Sequence, residues 1–424
     1  MVESSELVQR IRRDFPILSR LENGKRLVYL DSAATSQRPV QVINAVKRFY
    51  EQMNSNVHRG LYEMSEEATQ AYENARSNIA SFVGAKPEEL VFTRNATEAL
   101  NLVAYSWGRA NVKEGDVIVT TEMEHHSNFL PWKLLATEKK AKLEVVKITN
   151  EGVLDDGSLE EKLKLGPKIV AITHASNVLG TINDAKAIAR KARDAGAICV
   201  LDGAQSVPHM SVNVKEIGCD FMAFSGHKML GPMGIGGLYG RYELFESMPP
   251  FLTGGEMIKE VHIGEVNWND VPYKFEAGTP NVEGAIGLSE AVNYLRSLGM
   301  DWVRSHEKEL TAYALSLMVK ESSVHVYGPL DVGKRGGVIS FNIDGVHAHD
   351  VAQILDTEGI TIRSGHHCAM PIMDRYGIPA AARASFYIYN DKDDVEALIQ
   401  GIEKVKRVFM IERRHIQGAY TRSL

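Results

Sequence analysis

The sequence contains very little cysteine. Only Cys199, Cys219 and Cys368 occur among 424 residues, and no two of them have the short spacing of a metal-binding pair. A disulfide-stabilised fold is excluded, because such folds need several regularly spaced cysteines. Any function of cysteine in this chain must therefore depend on a single thiol.

Long apolar segments and a strong excess of one charge are also missing. No apolar run approaches the roughly 20 residues that a membrane-spanning helix needs. The net charge of -6 offers no basic surface for nucleic acid or anionic lipid. The first 15 residues, MVESSELVQRIRRDF, lack the apolar region of a signal peptide. We expect a cytoplasmic protein that binds neither nucleic acid nor membranes.

The hydrophobic pattern predicts an α/β fold with two domains. Strand patterns alternate with helical periodicity between residues 88 and 240, which favours a mainly parallel sheet covered by helices on both faces. From about residue 300 the pattern changes to a smaller α+β unit. We expect an N-terminal arm over 1–28 that packs on this unit, a large domain over 29–299 and a small domain over 300–424.

The predicted elements have the following bounds. Strand patterns cover 90–93, 117–121, 143–148, 169–173, 198–202, 221–225, 337–343, 360–363 and 384–389. Helical patterns cover 185–197, 302–319, 349–358 and 395–412.

Polar segments follow several strands of the predicted large domain, where ligands bind in parallel sheets. Residues 93–98 combine the start of a helix with the Thr97 hydroxyl, which suits a phosphate or simply caps a helix. His125 could stack on an aromatic cofactor or lie on the surface. Adjacent histidines on an extended segment point in opposite directions, which disfavours a metal site. Asp202 could pair with a protonated pyridine nitrogen or cap a helix.

Lys228 carries the strongest local signal. It lies in the segment Ser225-Gly-His-Lys-Met-Leu-Gly-Pro232, after a strand and before the glycine-rich residues 234–240. A lysine at such a strand end can form a Schiff base, and the glycines let a ring approach the backbone. The alternative is an exposed loop lysine. Because Asn177, Asp202 and Lys228 end successive strands, we favour the Schiff base.

Cys368 lies in a polar loop, Arg363-Ser-Gly-His-His-Cys-Ala-Met-Pro371, whereas the other two cysteines lie in apolar strand contexts typical of inert core thiols. The two histidines and the arginine of this loop favour a thiolate. The alternatives are a small loop residue and a metal ligand. A metal site is disfavoured because ligands this close in sequence cannot close a tetrahedral site alone.

Four motifs occur together in this order: THxSN at 173–177, LDGAQS at 201–206, SGHKxxGPxGxG at 225–236 and RSGHHCAxPxM at 363–373. With them the chain resembles the aminotransferase class V family of fold-type I pyridoxal-phosphate enzymes. Within that family it is most similar to the group II, SufS-type cysteine desulfurases. The resemblance runs from residues 29–35 to 383–385 and beyond. It implies a seven-stranded, mainly parallel sheet in the large domain and pyridoxal 5'-phosphate as the cofactor.

The resemblance implies a role for each polar residue of the site. Lys228 would bind the cofactor covalently, Asp202 would keep its pyridine nitrogen protonated, and His125 would stack on its ring. Gln205 and Asn177 would lie near the phenolic oxygen, and Thr97, Ser225, His227 and the Ala96 backbone would hold the phosphate. Many relatives have threonine in place of Ala96, so one phosphate hydroxyl is missing here. Substrate would contact Arg383, Asn177, Arg363 and Ala33.

The resemblance also implies an assembly and a reaction. Thr279, within residues 275–281, would reach the phosphate of the partner in a homodimer. L-Cysteine would become L-alanine as Lys228 removes the α-proton, with His125 assisting proton movement. The Cys368 thiolate would then attack the substrate sulfur and become a persulfide. Because the cysteine loop is short, a carrier or scaffold protein of iron–sulfur cluster assembly would come to it to accept the sulfur.

Two other functions remain open at this point. A selenocysteine lyase would use the same fold and cofactor and would depend less on its own thiol. A sulfur-relay scaffold without turnover is disfavoured because Lys228, Asp202 and Cys368 are all intact.

Overall fold

The computed structural model describes residues 2–410 of the chain. Its α-helices are α1 Val2–Arg13, α2 Val40–Gln52, α3 Glu63–Phe82, α4 Ala96–Val103, α5 Arg109–Asn111, α6 Leu130–Lys139, α7 Asp156–Leu163, α8 Ala185–Asp194, α9 Val214–Ile217, α10 Tyr242–Ser247, α11 Val282–Leu298, α12 Met300–Met318, α13 Ala348–Asp356, α14 Met370–Tyr376 and α15 Lys392–Val408. Its strands are β1 Leu21–Glu22, β2 Lys25–Arg26, β3 Val28–Tyr29, β4 Leu90–Thr93, β5 Val117–Thr121, β6 Lys142–Val146, β7 Ile169–Thr173, β8 Ile198–Asp202, β9 Phe221–Ser225, β10 Gly236–Gly240, β11 Ile258–His262, β12 Glu265–Trp268, β13 Val324–Tyr327, β14 Val338–Ile343, β15 Ile360–Thr361, β16 Arg363–Gly365 and β17 Ala381–Ser385.

A seven-stranded sheet forms the centre of the larger part of the molecule, with the order β4-β10-β9-β8-β7-β5-β6. Strands β9, β8, β7, β5 and β6 are parallel, and β10 lies antiparallel between β4 and β9. The predicted seven-stranded, mainly parallel sheet is thus confirmed. In the register of this sheet Thr173 lies opposite Asp202, so these strands end at the same edge.

Strand β10 occupies the glycine-rich segment that showed no strand pattern in the sequence. Glycine is required there by close packing. A Cβ atom on Gly236 would lie 2.5 Å from the Phe224 carbonyl oxygen, and one on Gly237 would lie 2.4 Å from the Phe224 ring. Both distances are far below van der Waals contact, so the absence of side chains lets β10 fit between its neighbours.

A four-stranded antiparallel sheet, β13-β14-β17-β16, forms the second layered unit, with α12, α13 and α15 among its helices. Strand β17 ends at Ser385, earlier than the predicted 384–389. The residues that follow are buried. The Phe386 N–H still donates to the Gly337 carbonyl oxygen, but the chain then forms a turn in which the Tyr387 N–H donates to Asn390 Oδ1. The predicted helix 395–412 corresponds to α15, and its last two residues lie outside the described range. The division of the chain at residues 28 and 299 remains a prediction.

The N-terminal segment contacts both units. Arg12 donates to the Tyr389 carbonyl oxygen at 2.7 Å and pairs with Asp394 at 3.0 Å. Asp14 accepts a 2.7 Å hydrogen bond from the Tyr294 hydroxyl. Strand β3 pairs in parallel with β15, and Asp31 follows it beside β17. Within residues 2–410, no helix combines the length and the apolar character needed to cross a membrane.

A buried ion pair joins α3 to the segment after β12. Arg76 donates to both carboxylate oxygens of Glu276, at 2.6 and 2.8 Å, and also to the Leu90 carbonyl oxygen. Glu276 in turn accepts hydrogen bonds from the Tyr72 hydroxyl and the Phe92 N–H. The Arg76 side chain is 1% exposed and that of Glu276 is 7% exposed, so neither charge has water as a substitute partner.

We predict that Glu276→Ala lowers the free energy of unfolding by about 3–5 kcal/mol, because it removes the two-pronged carboxylate partner of the buried Arg76 and leaves it, as a carboxylate contact, the half-buried Glu73 at 3.0 Å. Guanidinium-induced unfolding followed by circular dichroism measures this change. The matched control is Glu138→Ala, which removes the exposed partner of Arg109 and should cost about 1 kcal/mol or less. Equal losses from the two substitutions would contradict the assignment of Arg76–Glu276 as an anchor of the fold.

Candidate active site

A cavity of about 270 Å³ lies at the carboxyl edge of the large sheet, where it meets the small sheet. It brings together the residues that the sequence predicted for the site: Ala33, Ala96, Thr97, His125, Asn177, Asp202, Gln205, Ser225, His227, Lys228, Arg363, Cys368 and Arg383. Thr279 does not line this cavity. It lines a separate cavity of about 370 Å³, together with Arg94, Glu98 and Gly234.

One end of the cavity is built for an anion. Helix α4 begins there, and the Ala96 N–H donates to Ser225 Oγ at 2.9 Å. Thr97 Oγ1 lies 2.7 Å from Ser127 Oγ, a cavity residue that the sequence reasoning missed. Hydroxyl groups beside a helix N-terminus suit a phosphate, because the first N–H groups of a helix have no partner within it. The side chain of Ala96 is a methyl group, so it contributes no hydroxyl to this end of the cavity.

Lys228 and Asp202 lie in the cavity wall at adjacent strand ends, since Asp202 is the last residue of β8 and Lys228 follows β9. Burial lowers the pKa of the Lys228 amine to about 8, although the negative charge of Asp202 opposes this effect. Burial likewise raises the pKa of Asp202, against a hydrogen bond from the Ala204 N–H and the charge of Lys228. A larger fraction of the lysine amine is therefore neutral near neutral pH than for an ordinary lysine, and the aspartate needs a cationic partner to remain ionised.

His125 and Gln205 fit an aromatic ring carrying a hydroxyl. Burial first, and then the charge of Lys228, lower the pKa of His125 to about 3, so its ring is neutral. His125 Nδ1 accepts the Ser127 N–H at 3.1 Å, which leaves the proton on Nε2. Gln205 Nε2 donates to the Ala33 carbonyl oxygen, while its buried Oε1 has no partner within the described residues. A ring hydroxyl in the cavity would satisfy this oxygen.

Two arginines from the small sheet form the opposite wall. Arg383 is 2% exposed, donates to the Asn177 carbonyl oxygen at 2.9 Å and contacts Asp31 at 3.2 Å. Arg363 binds the same carboxylate with two nitrogens, at 2.9 and 3.1 Å. The buried Nε of Arg383 has no partner within the described residues. Planar arginine groups suit a carboxylate, and Asp31 is a positioning residue that the sequence reasoning missed.

Cys368 lies across the cavity from the sheet, in the loop between β16 and α14, and it is exposed. Cys199 and Cys219 are buried in the core at 1% and 2% exposure. Burial raises the pKa of both thiols, which keeps them protonated and inert. Of the three thiols, Cys368 alone can meet a molecule held in the cavity.

Comparison with known families identifies the family to which this chain belongs. The sequence profile described as aminotransferase class-V matches residues 28–398. The chain belongs to this family. A curated relative from Halalkalibacterium halodurans, named "Probable cysteine desulfurase", is 50% identical over 400 residues, which are 94% of this chain and 98% of the relative.

Solved structures related to this class-V family member have the same fold. A cysteine desulfurase from Thermococcus onnurineus NA1, solved in its apo form, has a TM-score of 0.90 at 43% identity, covering 94% of this chain and 98% of its own. The cysteine desulfurase CsdA from Escherichia coli has a TM-score of 0.87 at 35% identity, covering 95% and 98% of the two chains. The predicted membership of the aminotransferase class V family is confirmed, and the group II subgroup remains a prediction.

A second buried carboxyl group lies behind the cavity of this class-V enzyme. Glu124 is 0% exposed and accepts hydrogen bonds from Thr121 Oγ1, Asn128 Nδ2 and the Thr173 N–H. Burial, reinforced by the charge of Asp202, raises its pKa to about 8 despite these three donors. The sequence reasoning missed its role, because in sequence it is only the residue before His125. In the fold it fixes the turn that carries His125 and His126.

We predict a pH-dependent contribution of Glu124 to stability. Its pKa is raised on folding, so the folded state keeps a proton that the unfolded state releases, and this stabilisation is lost as pH rises from about 4.5 towards 8. The unfolding free energy of the wild type should fall relative to Glu124→Gln by up to about 1.4 kcal/mol per pH unit in this window. Urea unfolding at several pH values measures the difference, and parallel curves for the two proteins would contradict the protonation of Glu124.

Proposed function

We propose that this protein is a pyridoxal-phosphate-dependent cysteine desulfurase, which converts L-cysteine to L-alanine and leaves the sulfur as a persulfide on Cys368. The observation that carries the proposal is a single exposed thiol in the same cavity as a lysine of lowered pKa and a buried arginine. The names of the relatives and of the solved neighbours agree with this activity.

The cavity supplies one group for each part of the cofactor. Ser225, Thr97 and His227, with the start of α4, would hold the phosphate, and His125 would lie on the ring. Asp202 would pair with the protonated pyridine nitrogen, which gives its buried carboxylate the cation that it lacks. When bound, pyridoxal phosphate supplies an electron sink that stabilises negative charge at the substrate α-carbon. Lys228 is the residue that would attach it.

Four residues would hold and activate L-cysteine. Arg383 would bind the substrate carboxylate through the edge of its guanidinium that bears the unpartnered Nε, and Asn177 would lie beside it. Lys228, with a pKa of about 8, can accept the α-proton near neutral pH and return it to the product. The neutral Nε2–H of His125 can donate to a group above the ring.

The sulfur step involves only Cys368 and the substrate. The Cys368 thiolate attacks the substrate sulfur, a sulfur–sulfur bond forms, and the bond between that sulfur and the substrate β-carbon breaks. The carbon skeleton keeps the electron pair of that bond, takes up a proton and leaves as alanine. Cysteine and one thiol thus give alanine and one persulfide, so no external oxidant or reductant is needed.

The persulfide would be passed to another protein. Cys368 is exposed, so an acceptor can reach the sulfur without opening the core. We propose that a sulfur-acceptor or scaffold protein of iron–sulfur cluster assembly fills this role. A cytoplasmic location remains a prediction of the sequence.

Substituting Cys368 tests the central step. Cys368→Ser should keep pyridoxal phosphate on Lys228, with its yellow absorbance, because no cofactor-binding residue is changed. Alanine formation from cysteine should fall at least about 100-fold, since a hydroxyl is a poor nucleophile towards sulfur. The measurements are alanine release and the mass of the Cys368 peptide with and without persulfide.

Cys199→Ser is the matched control for this experiment. It changes a buried thiol of β8 and should lower stability without abolishing alanine release. If Cys368→Ser makes alanine from cysteine at the wild-type rate, the proposed mechanism is wrong. Retained activity only with selenocysteine would identify a selenocysteine lyase instead.

We also propose a homodimer in which Thr279 completes the partner's phosphate site. The hairpin of β11 and β12 supports this arrangement, because Ile263, Val261 and Trp268 are apolar and exposed in the single chain. Thr279 lies in its own surface cavity beside this region of the chain, away from Lys228.

Complementation tests the dimer. Lys228→Ala and Thr279→Trp should each be inactive alone. An equal mixture refolded together should recover up to about one quarter of wild-type activity, because half of its dimers are mixed and each holds one intact site. Light scattering gives the oligomeric state. A fully active monomer, or a mixture that stays inactive while mixed dimers form, would refute the shared site.

A further inference from the structure

The loop that carries Cys368 has a backbone that needs external support. His367 has a φ of 52° and Cys368 a φ of 54°, so two consecutive residues with side chains lie in the left-handed region. Such a conformation costs about 1–2 kcal/mol per residue and persists only where neighbouring groups hold it. The position of the sulfur therefore depends on the contacts that this loop makes.

His126 supplies two of those contacts, both to backbone groups that directly follow the Cys368 Cα. Its backbone N–H donates to the Cys368 carbonyl oxygen at 2.7 Å. Its Nε2 accepts the N–H of Met370, the first residue of α14, at 3.1 Å. Helix α14 has no side-chain cap from Ala369, so His126 satisfies an N–H that the helix itself leaves free.

The other anchors of the loop act before Cys368. Asn177 Nδ2 donates to the His367 carbonyl oxygen at 2.8 Å, and His367 Nε2 lies 2.8 Å from the Ala381 carbonyl oxygen. These contacts fix the chain as it enters the loop. The side chain of His126 is the contact that fixes it as it leaves, at Met370.

We propose that His126 is a positioning residue for sulfur transfer, which holds Cys368 in its left-handed conformation by accepting the Met370 N–H through Nε2. The expected effect on alanine formation rests on the proposed function. The hydrogen bond between His126 and Met370 can be tested independently of that function. The two adjacent histidines then have separate tasks, since His125 lines the cavity and His126 does not.

The charge state of His126 is compatible with this role. Only a neutral imidazole has a lone pair with which to accept an N–H. Burial and the charge of the neighbouring His366 both lower the pKa of His126 below its ordinary value, which favours the neutral ring. With Nε2 accepting, the ring proton lies on Nδ1.

Two substitutions separate the hydrogen bond from the bulk of the ring. His126→Ala removes the acceptor and retains the backbone N–H. His126→Gln places a carbonyl oxygen at nearly the reach of Nε2 and so restores an acceptor. Amide hydrogen exchange of overlapping peptides within residues 366–373, measured by mass spectrometry on the holoenzyme and differenced to isolate position 370, reports the Met370 N–H.

We expect exchange at Met370 to be at least about tenfold faster in His126→Ala and close to wild type in His126→Gln. The kcat for alanine formation should fall about tenfold in His126→Ala, with KM and cofactor absorbance within about twofold of wild type, because the thiol is displaced while the substrate site is intact. His126→Gln should recover most of this kcat.

His347→Ala is the matched control. His347 Nδ1 accepts the His349 N–H at 3.2 Å at the start of α13, so it is the same kind of cap in a different place. Its removal should speed local exchange near α13 and leave kcat unchanged. A fall in kcat equal to that of His126→Ala would show a general effect of lost caps and overturn the proposal.

Other outcomes also decide the matter. Unchanged exchange at Met370 in His126→Ala, or His126→Gln as impaired as His126→Ala, would overturn the role of Nε2 as an acceptor. If the wild type forms no alanine from cysteine, the proposed function fails. The exchange data would still show whether His126 holds the loop, so the two failures are distinguishable.

Discussion

The buried charge of Arg383 is the constraint on which the site depends. A guanidinium that is 2% exposed needs a compensating anion and hydrogen-bond acceptors, and it finds them in Asp31 and the Asn177 carbonyl oxygen. Arg383 belongs to the small sheet, Asn177 follows a strand of the large one, and Asp31 lies in the N-terminal segment after β3. Satisfying one cation therefore fixes the distance between Lys228, on the large sheet, and the loop of Cys368, on the small side.

Much of this arrangement could be read from the sequence, because parallel strands place their following residues at one edge. Once Asp202 and Lys228 were assigned to strand ends, their convergence followed from the topology. Asp31 and Glu124 could not be found this way. Each acts through partners distant in sequence, Arg383 and Thr173 respectively, and nothing next to either residue marks those contacts.

The sequence pattern also mispredicted strands at places where tertiary packing overrides the intrinsic preference of the residues. No strand was predicted over the glycine-rich residues 236–240, yet β10 forms there and Gly236 is where Phe224 leaves no room for a side chain. Residues 384–389 are rich in aromatic and apolar side chains and were predicted to form one strand, but after Ser385 the hydrogen bond from the Tyr387 N–H to Asn390 Oδ1 closes a buried turn. The left-handed backbone at Cys368 was equally invisible, because glycine is the residue that usually signals it and none occupies positions 367 or 368.

The hydrogen bond from the Ala96 N–H to Ser225 Oγ has a consequence for anion recognition. A hydroxyl that accepts in one direction must direct its own proton in another, so the Ser225 dipole is oriented before any phosphate arrives. Phosphate binding then restricts this hydroxyl less than it would a free one, and less entropy is lost on association. Ala96 adds no hydroxyl of its own, but its backbone N–H orients the hydroxyl of Ser225.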